Sequence, residues 1–425
     1  MHDANELLAQ GPAAVERLAR RRYVLDPAAL EKATRARAET QAEVVRLRTE
    51  LNATSRARGR TGPPSEAEKA TARALRADVQ QAEAAARTAA AELQEILLRI
   101  PNIPLDAVPS GNSEKEAVEV RRGGPPPRSA GSRHHADIGE SLGVLDASAA
   151  AGLSGARFSV GRGAGARLER ALADFFLDLH TLEHGYTEYT VPYLVSRATM
   201  TGTGQLPKFE QDLFRTQVGD REMFLIPTAE VPLTNLLAGQ ILDSRDLPYA
   251  FTARTPCFRA EAGAYGQDTR GILRLHQFEK VELVRVCAPQ DAQEQLDLMV
   301  GHAEECLRRL ELSYRVVLLP AGDLGFSARM TYDIEVWLPG SGTFREISSV
   351  SDCGTFQGRR ADIRHHGEGG RKTPAATLNG SALPIGRTVA ALLEQGERED
   401  GSVGIPEALV PYTGFREILP GGATR

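Results

Sequence analysis

The sequence predicts an α+β protein in which a long antiparallel helical hairpin precedes a larger domain of mixed helices and strands. Apolar residues within 27–100 recur at alternating three- and four-residue spacings, which is typical of a coiled coil. A proline- and glycine-rich stretch follows over 101–133, and helical and strand-like patterns are mixed beyond it. We therefore expect an N-terminal helical domain over 1–103, a linker over 104–133 and a second domain over 134–425.

The predicted hairpin has arms over about 27–54 and 66–100, which form an antiparallel coiled coil. In the second arm the apolar spacing is unbroken, whereas in the first arm Arg37 and Thr40 interrupt it. Between the arms, residues 55–65 read SRARGRTGPPS, and glycine and proline there end one helix and turn the chain.

The turn of the hairpin is basic, because it contains Arg56, Arg58 and Arg60. A basic tip on a long rod suits contact with a phosphate backbone. A solvated turn with no ligand is the commoner use of such a sequence, so composition alone does not decide between the two interpretations.

Composition argues against several classes of protein. The chain has 425 residues, a net charge of −5 and 41% hydrophobic residues, which are values of an ordinary soluble protein. It has no apolar run long enough for a membrane span and no signal-peptide core, so we expect a cytoplasmic protein without a membrane partner. The negative charge does not favour DNA as a partner. Scattered cysteines predict reduced thiols, and the histidine pairs at 134–135 and 365–366 are expected on the surface.

Charged residues interrupt an apolar, strand-like stretch over 255–284. They include Arg259, Glu261, Arg274 and Glu282. Since a buried charge is costly without a charged or polar partner, this stretch indicates a polyanionic ligand, together with a metal ion.

Side-chain alternation makes that indication more specific. If the stretch forms a hairpin that pairs Arg259 with Arg274, these guanidiniums, Phe278 and Glu282 share one face. Such a face offers cations for phosphate, an aromatic ring for a base and a carboxylate for a small polar group. A salt-bridged hairpin on the surface would have the same composition, and both interpretations stay open on these residues.

Three further segments carry polar residues in apolar surroundings. Glu346 and Ser349 offer a carboxylate and a hydroxyl, which suit a hard cation such as Mg²⁺. Arg387 lies near the start of a predicted helix, where it could reach an anion. Thr228 and Glu230 could together bind an ammonium group. Each segment taken singly also has an ordinary structural interpretation.

Taken together and in this order, the segments resemble those of the bacterial-type seryl-tRNA synthetases, a family of class II aminoacyl-tRNA synthetases. Besides the helical hairpin, the resemblance includes TGTGQLPKFEQDLF at 201–214, IPTAEVPLTNL at 226–236, CFRAEAGAYGQDTRGILRLHQFEKVELV at 257–284, REISSVSDCGTFQGRR at 345–360 and TLNGSALPIGRT at 377–388. Residues 166–195, with Pro192, resemble the first class II motif, which builds a homodimer interface in the family.

The resemblance implies a fold and an activity. The fold would be the class II antiparallel sheet flanked by helices. The enzyme would use ATP and Mg²⁺ to convert L-serine to seryl-adenylate and pyrophosphate. It would then transfer serine to the 3′ end of tRNA(Ser), and of tRNA(Sec) where that tRNA is present, with no covalent enzyme intermediate.

The resemblance also implies roles for individual residues. The catalytic residues would be Arg259, Arg387 and Glu346. ATP would be bound by Arg259, Ala260, Glu261, Arg274, Phe278, Glu346, Ile347, Ser348, Ser349 and Arg387. Serine would be bound by Thr228, Ala229, Glu230, Arg259, Glu282 and Ser381. Glu346 and Ser349 would hold Mg²⁺, and tRNA would contact Arg56, Arg58 and Arg60.

A few positions depart from the family pattern. Asp352 stands where the family usually has Asn, and residues 382–385 read Ala-Leu-Pro-Ile where it usually has Gly-Leu-Ala-Val. These departures leave open a specialised paralogue in natural-product biosynthesis or self-resistance. A serine:carrier-protein ligase and a non-catalytic tRNA-binding protein also stay open.

Overall fold

The computed structural model describes residues 1–58, 65–262 and 270–425, and these form two compact units, Met1–Pro101 and Asn102–Arg425. The helices are α1 (Ala4–Ala9), α2 (Pro12–Ala19), α3 (Pro27–Arg58), α4 (Glu66–Arg99), α5 (His135–Ser141), α6 (Ala147–Ser154), α7 (Ala164–Asp178), α8 (Arg197–Thr203), α9 (Glu230–Asn235), α10 (Ala292–Arg309), α11 (Phe356–Ala361), α12 (Ile385–Gly396) and α13 (Val410–Thr413). The strands are β1 (Val118–Gly123), β2 (Thr187–Glu188), β3 (Leu194–Ser196), β4 (Arg215–Val218), β5 (Arg221–Leu225), β6 (Ile241–Leu242), β7 (Tyr249–Phe258), β8 (Gln277–Cys287), β9 (Tyr314–Leu318), β10 (Met330–Leu338), β11 (Thr343–Asp352), β12 (Arg364–His366), β13 (Lys372–Pro374), β14 (Ala376–Pro384), β15 (Val403–Gly404) and β16 (Glu417–Ile418).

The first unit contains the predicted helical hairpin. Helix α3 has 32 residues and α4 has 34, so each is about 50 Å long at 1.5 Å per residue. Ser65 caps α4 with a capping box, in which its hydroxyl accepts from the Glu68 backbone N–H and the Glu68 carboxylate accepts from the Ser65 backbone N–H. Leu47 packs between the helices against Leu75 and Val79, on the spacing that predicted the seam. The long N-terminal helices therefore confirm the prediction of a coiled-coil arm.

The basic tip of the hairpin is only partly described. Arg56 is exposed near the end of α3. The side chain of Arg58 and all of Arg60 lie outside the described residues. The predicted contact of this tip with tRNA stays a prediction.

The segment expected to be a linker, 104–133, contains regular structure. Its residues Val118–Gly123 form β1, which pairs antiparallel with β9 at one edge of the main sheet. The segment is therefore partly built into the second unit, whose first residue is Asn102.

The second unit is organised by an eight-stranded sheet in the order β1-β9-β10-β11-β14-β8-β7-β2. All neighbouring strands are antiparallel except β2 and β7, which are parallel. Helices α7, α10 and α12 cover one face and share its apolar core with residues such as Val281 and Leu283. On the other face, Val284 and Val286 pack against Leu233 of α9. The antiparallel-dominated sheet flanked by helices confirms the predicted fold class.

Strands β7 and β8 form the predicted hairpin, with a register that differs from the expected one. Cys257 pairs with Phe278, and the backbone N–H of Arg259 donates to the carbonyl of His276 at 2.9 Å. The predicted pairing of Arg259 with Arg274 is therefore wrong by two residues. Since side chains alternate with a period of two, this shift leaves the predicted faces unchanged.

Candidate active site

A cavity of about 560 Å³ opens on the face of the sheet opposite the main core. Its wall is formed by Gln205, Phe209, Asp212, Leu213, Pro227, Thr228, Glu230, Arg259, Glu261, Arg274, Lys280, Glu282, Gly325, Glu346, Ser349, Asn379 and Ser381. A smaller cavity of about 60 Å³ shares part of this wall and adds Phe278 and Arg387. The structure therefore brings together most of the side chains that the sequence predicted for ATP and serine.

Four of the predicted residues do not present side chains to either cavity. Ala229, Ile347 and Ser348 are buried, and the Ser348 hydroxyl donates to the carbonyl of Ser381 at 2.6 Å. The backbone N–H of Ala260 donates to the carbonyl of Asp212 at 2.9 Å. Ala229, Ile347 and Ser348 thus support the wall from behind.

A β-bulge in β11 places Glu346 and Ser349 on the same wall. Residues three apart on a regular strand point to opposite faces. Here Ser348 pairs with Ile334 and Glu346 pairs with Glu335, so Ile347 is an extra residue on its strand. The bulge re-aims the side chains on either side of it, and both predicted metal ligands line the main cavity.

One end of the main cavity is acidic. Glu230, at the first turn of α9, accepts hydrogen bonds at Oε1 from Gln357 Nε2 at 2.6 Å and from Asn379 Nδ2 at 3.1 Å. Burial, aided by the neighbouring Glu282, raises the pKa of Glu230 to about 7. Because both amides reach Oε1, the second carboxyl oxygen is available to a cation in the cavity.

A buried ion pair lies beside this end. Lys280 Nζ pairs with the Glu282 carboxylate and donates to Thr228 Oγ1 at 3.0 Å. Burial raises the pKa of Glu282, and the Lys280 ammonium acts in the opposite direction. Ser381 is the register partner of Glu282 on the adjacent strand, so a hydroxyl and a carboxylate lie side by side.

The other end of the cavity is cationic, and its Arg259 and Arg274 also line the smaller cavity, whose wall contains Phe278. The Arg259 guanidinium lies 5.2 Å from the centre of the Phe278 ring, and its Nε donates to the carbonyl of Pro227 at 3.3 Å. Arg274 Nη1 donates to Glu261 Oε2 at 2.7 Å. Glu261 follows the end of β7 and has a φ of 51°. Guanidiniums beside an aromatic face suit a nucleotide, because they offer charge for phosphate and a surface for a base.

Glu346 lines both cavities, and its partner Arg387 lines the smaller one. Arg387 Nη1 donates to the backbone carbonyl of Glu346 at 2.6 Å and lies 3.5 Å from its Oε2. Burial of Glu346 in the wall opposes its ionisation, but Arg387 and Arg259 outweigh that effect and lower its pKa. The side chain is still 49% exposed, because it opens onto the cavity and is accessible to a ligand.

Asp333 lies on the strand next to Ser349 and was not predicted. It is the register partner of Ser349, and its Oδ1 has no hydrogen-bond partner among the described residues. Burial and the nearby Glu346 raise the pKa of Asp333. Glu346, Ser349 and Asp333 together offer only oxygen donors, which are the ligands that Mg²⁺ prefers. This donor set fits the predicted metal.

Lys280 lines both cavities and was not predicted from the sequence. It lies on the same strand face as Phe278 and Glu282, so their alternating spacing was the signal that could have found it. Gln357 and Asn379 carried no comparable signal, because their contacts with Glu230 join segments far apart in the chain.

The departures from the family pattern lie mostly outside the cavities. The Asp352 carboxylate accepts from Arg329 Nε at 2.8 Å and from the Gly354 backbone at 2.6 Å, and its side chain is buried. Ala382 and Leu383 belong to the main core. Among these departures, Pro384 lines the smaller of these two cavities, whereas Ile385 lines neither of them.

The surface prediction for the two histidine pairs is wrong for one member of each. His135 is fully buried against Glu394, with its Nδ1 at 2.7 Å from Glu394 Oε1. His365 is buried and contacts Thr373 through Nε2 at 3.1 Å. The four cysteines are all free and buried. None of the helices in the described ranges is both long and apolar enough to cross a membrane.

Comparison with known proteins relates both units to described families. Residues 1–104 match the seryl-tRNA synthetase N-terminal domain, and residues 209–396 match the tRNA synthetase class II core domain (G, H, P, S and T). A "Serine--tRNA ligase 2" of Streptomyces avermitilis is 82% identical over the full length of both chains. A serine–tRNA ligase of Acidithiobacillus ferrooxidans is 49% identical over 95% of this chain and 96% of its own.

Solved structures show the same relationship. The seryl-tRNA synthetase of Pyrococcus horikoshii, complexed with ATP, superposes with a TM-score of 0.86 at 34% identity, covering 99% of this chain and 100% of that one. The cytoplasmic serine–tRNA ligase of Naegleria fowleri, in complex with AMP, has a TM-score of 0.83 at 27% identity, with 98% of each chain covered.

Proposed function

Because the chain belongs to the seryl-tRNA synthetase family, we propose that it is a serine–tRNA ligase whose two reactions take place in the cavity on its main sheet. It activates L-serine with ATP and then transfers serine to the 3′ end of tRNA(Ser). The observation that carries this proposal is the polarity of the cavity, which is acidic around Glu230 and Glu282 and cationic around Arg259 and Arg274.

Serine occupies the acidic end in this proposal. Its ammonium group binds the free carboxyl oxygen of Glu230, next to Thr228. Its hydroxyl lies between Glu282 and Ser381, which are neighbours on adjacent strands. Alanine would leave these buried polar groups without a partner, and a site built to bind a hydroxyl rejects such an analogue strongly.

ATP occupies the cationic end. The base stacks on Phe278, the phosphates lie among Arg259, Arg274 and Arg387, and Arg259 also reaches the serine carboxylate. The ion pair between Arg274 and Glu261 holds the Arg274 guanidinium in place.

This placement of serine and ATP accounts for both reaction steps. The serine carboxylate attacks the α-phosphorus, the bond to the β-phosphate breaks, and pyrophosphate leaves. Arg259 stabilises the charge that develops on the α-phosphoryl oxygens, and no enzyme nucleophile is needed. A hydroxyl of the terminal tRNA ribose then attacks the seryl carbonyl, and AMP leaves. We assign Glu346 and Ser349 as the ligands of Mg²⁺, which when bound neutralises phosphate charge.

The helical hairpin contacts tRNA in this proposal, because a pair of 50 Å helices (about 32 residues each at 1.5 Å per residue) has no role in adenylate formation. We further propose a homodimer in the cytoplasm, where tRNA is charged. Residues 166–195 expose three large apolar side chains, Leu182, Tyr193 and Leu194, which suit a protein interface.

Two measurements test the proposal. Pyrophosphate exchange should depend on serine and exceed the exchange with each other amino acid, and serine tRNA should then be charged. Exchange with serine but without tRNA charging would favour a different acceptor, such as a carrier protein. Absence of serine-dependent exchange would contradict the proposed activity itself. Light scattering after size exclusion measures the dimer separately.

A further inference from the structure

The backbone that leads into β8 carries Arg274 without the support of a strand. Residues 270–276 lie in neither a helix nor a strand, and regular pairing with β7 begins at Gln277. Arg274 nevertheless lines both cavities. Its guanidinium can be aimed correctly only if this segment is held by contacts from other elements.

His135, at the start of α5, supplies one of those contacts. Its Nε2 lies 3.2 Å from the backbone nitrogen of Ile272 and accepts the hydrogen bond of that N–H. Since Nε2 is an acceptor, the ring proton is on Nδ1, which donates to Glu394 Oε1 at 2.7 Å. One neutral imidazole thus joins a buried carboxylate to the backbone two residues before Arg274.

Helix α12 holds the same segment at two points. Glu394 orients His135, and its two oxygens also accept from the backbone N–H groups of His135 at 3.0 Å and Gly340 at 2.8 Å. Seven residues earlier, about two helical turns, Arg387 Nε donates to the carbonyl of Leu273 at 3.1 Å. The segment is therefore fixed to α12 directly at Leu273 and through His135 at Ile272.

Gly271 is adapted to this contact. Its φ is +82°, a conformation that side chains disfavour, and a Cβ there would overlap with Nε2 of His135. The close approach of the backbone to the imidazole therefore requires glycine.

The same cluster could be interpreted as a metal site, because His134, His135 and Glu394 have donor atoms within 4.8 Å of one another. Those atoms are already engaged in hydrogen bonds. His134 Nδ1 accepts from the N–H of Ala136, and His135 and Glu394 use the bonds described above. The arrangement thus favours a hydrogen-bonded support over a ligand set.

We propose that His135 is a positioning residue that sets the ATP-binding position of Arg274 by holding the backbone at Ile272. This inference rests on the proposed function, since it assigns ATP to the cavity. His135 itself contacts neither cavity.

Matched variants separate the two hydrogen bonds of His135. His135→Asn keeps a donor near the position of Nδ1 for Glu394 but loses the acceptor for Ile272. His135→Gln places an acceptor near the position of Nε2. Glu140→Gln is the control, because Glu140 is an exposed carboxylate on the same helix. KM values for ATP and for serine are measured by pyrophosphate exchange. The melting temperature and the zinc content of each variant are measured as well.

We expect His135→Asn to raise the KM for ATP about tenfold, the cost of one lost hydrogen bond and a displaced side chain, with the KM for serine within about twofold. His135→Gln should recover most of the loss, and Glu140→Gln should resemble the parent. If His135→Asn fails to fold, Gly271→Ala takes its place, with the same expected rise.

Equal changes in both KM values, or a lower melting temperature with unchanged kinetics, would overturn the positioning role. Stoichiometric zinc in the purified protein would overturn the hydrogen-bond assignment. If the parent enzyme lacks serine-dependent exchange, the proposed function fails. ATP affinity by calorimetry across the same variants then still decides the role of His135.

Discussion

Protonation of Glu230 should control the affinity of the enzyme for serine between pH 6 and 8. Burial raises the pKa of this carboxyl from 4.5 to about 7 in the unliganded protein. An ammonium group in the cavity requires the ionised form. With a pKa of about 7, roughly one-tenth of the sites are ionised at pH 6 and nine-tenths at pH 8. Serine should therefore bind about tenfold more weakly at pH 6 than at pH 8.

The raised pKa of Glu230 also makes the folding stability depend on pH, in a direction that can be stated separately. The folded-state pKa lies above the unfolded value, so the contribution of Glu230 is fully present below pH 4.5 and lost as the pH rises through about 7. The difference of about 2.5 units corresponds to about 3 kcal/mol at 1.36 kcal/mol per unit. Saturating serine should offset part of this loss, because its ammonium group stabilises the carboxylate.

The assay is the KM for serine in pyrophosphate exchange at saturating ATP, measured at pH 6, 7 and 8. Glu230→Gln keeps a hydrogen-bond acceptor for Gln357 but cannot titrate, so its serine KM should be high and nearly constant with pH. The KM for ATP is the internal control. A constant serine KM in the parent would refute the reasoning. The same pH dependence in Glu230→Gln would assign the titration to another group, of which Glu282 has the largest charge effect on Glu230.

Three further changes test separate parts of the molecule. Arg259→Ala should reduce pyrophosphate exchange by about 10²–10³-fold while circular dichroism shows a folded protein, and robust exchange would remove Arg259 from the chemistry. Arg48 and Glu83 pair across the hairpin at 2.7 Å, so a short Gly-Ser turn can replace the chain between them. This variant should keep pyrophosphate exchange within about twofold of the parent. Its tRNA charging should fall at least about 100-fold, the scale expected when a phosphate-binding surface is lost. Unchanged charging would contradict the role given to the helices. Asp352→Asn should lower the free energy of unfolding by about 1–3 kcal/mol, because Arg329 loses its carboxylate, and a tenfold change in serine KM would instead make Asp352 a determinant of the pocket.

The elements that could be predicted are those whose repeating apolar pattern is still recognisable when single residues depart from it. The coiled coil follows from repeated three- and four-residue spacings, and a single exception such as Thr40 does not shift the others. The face of β8 that carries Phe278 and Glu282 was predicted correctly despite a pairing error of two residues. Side chains alternate between the two faces of a strand, so a register shift of two leaves each side chain on the same face.

Strand β1 could not be predicted for the opposite reason. Its residues, VEVRRG, are almost all exposed at the edge of the sheet, so burial leaves no alternating pattern in the sequence. Proline and glycine on either side made the segment resemble a linker. Its place is set by pairing with β9, a contact between residues nearly two hundred positions apart.

The geometry of the site could not be predicted from the sequence, because it depends on breaks in the regular strand structure. A regular strand presents alternate residues to the core, so it offers a cavity only every second side chain. Three irregularities change that rule here: the positive φ of Glu261, the extra residue Ile347, and the register shift between Ser381 and Pro384. The first lies just after the end of β7, and the second brings Glu346 and Ser349 to one wall. The third lies between Ser381, which lines both cavities, and Pro384, which lines only the smaller one. Neither of the last two follows from hydrophobic pattern, because each depends on which strand lies opposite. A polar cavity in a close-packed sheet therefore depends on local exceptions to the rules that predict the sheet.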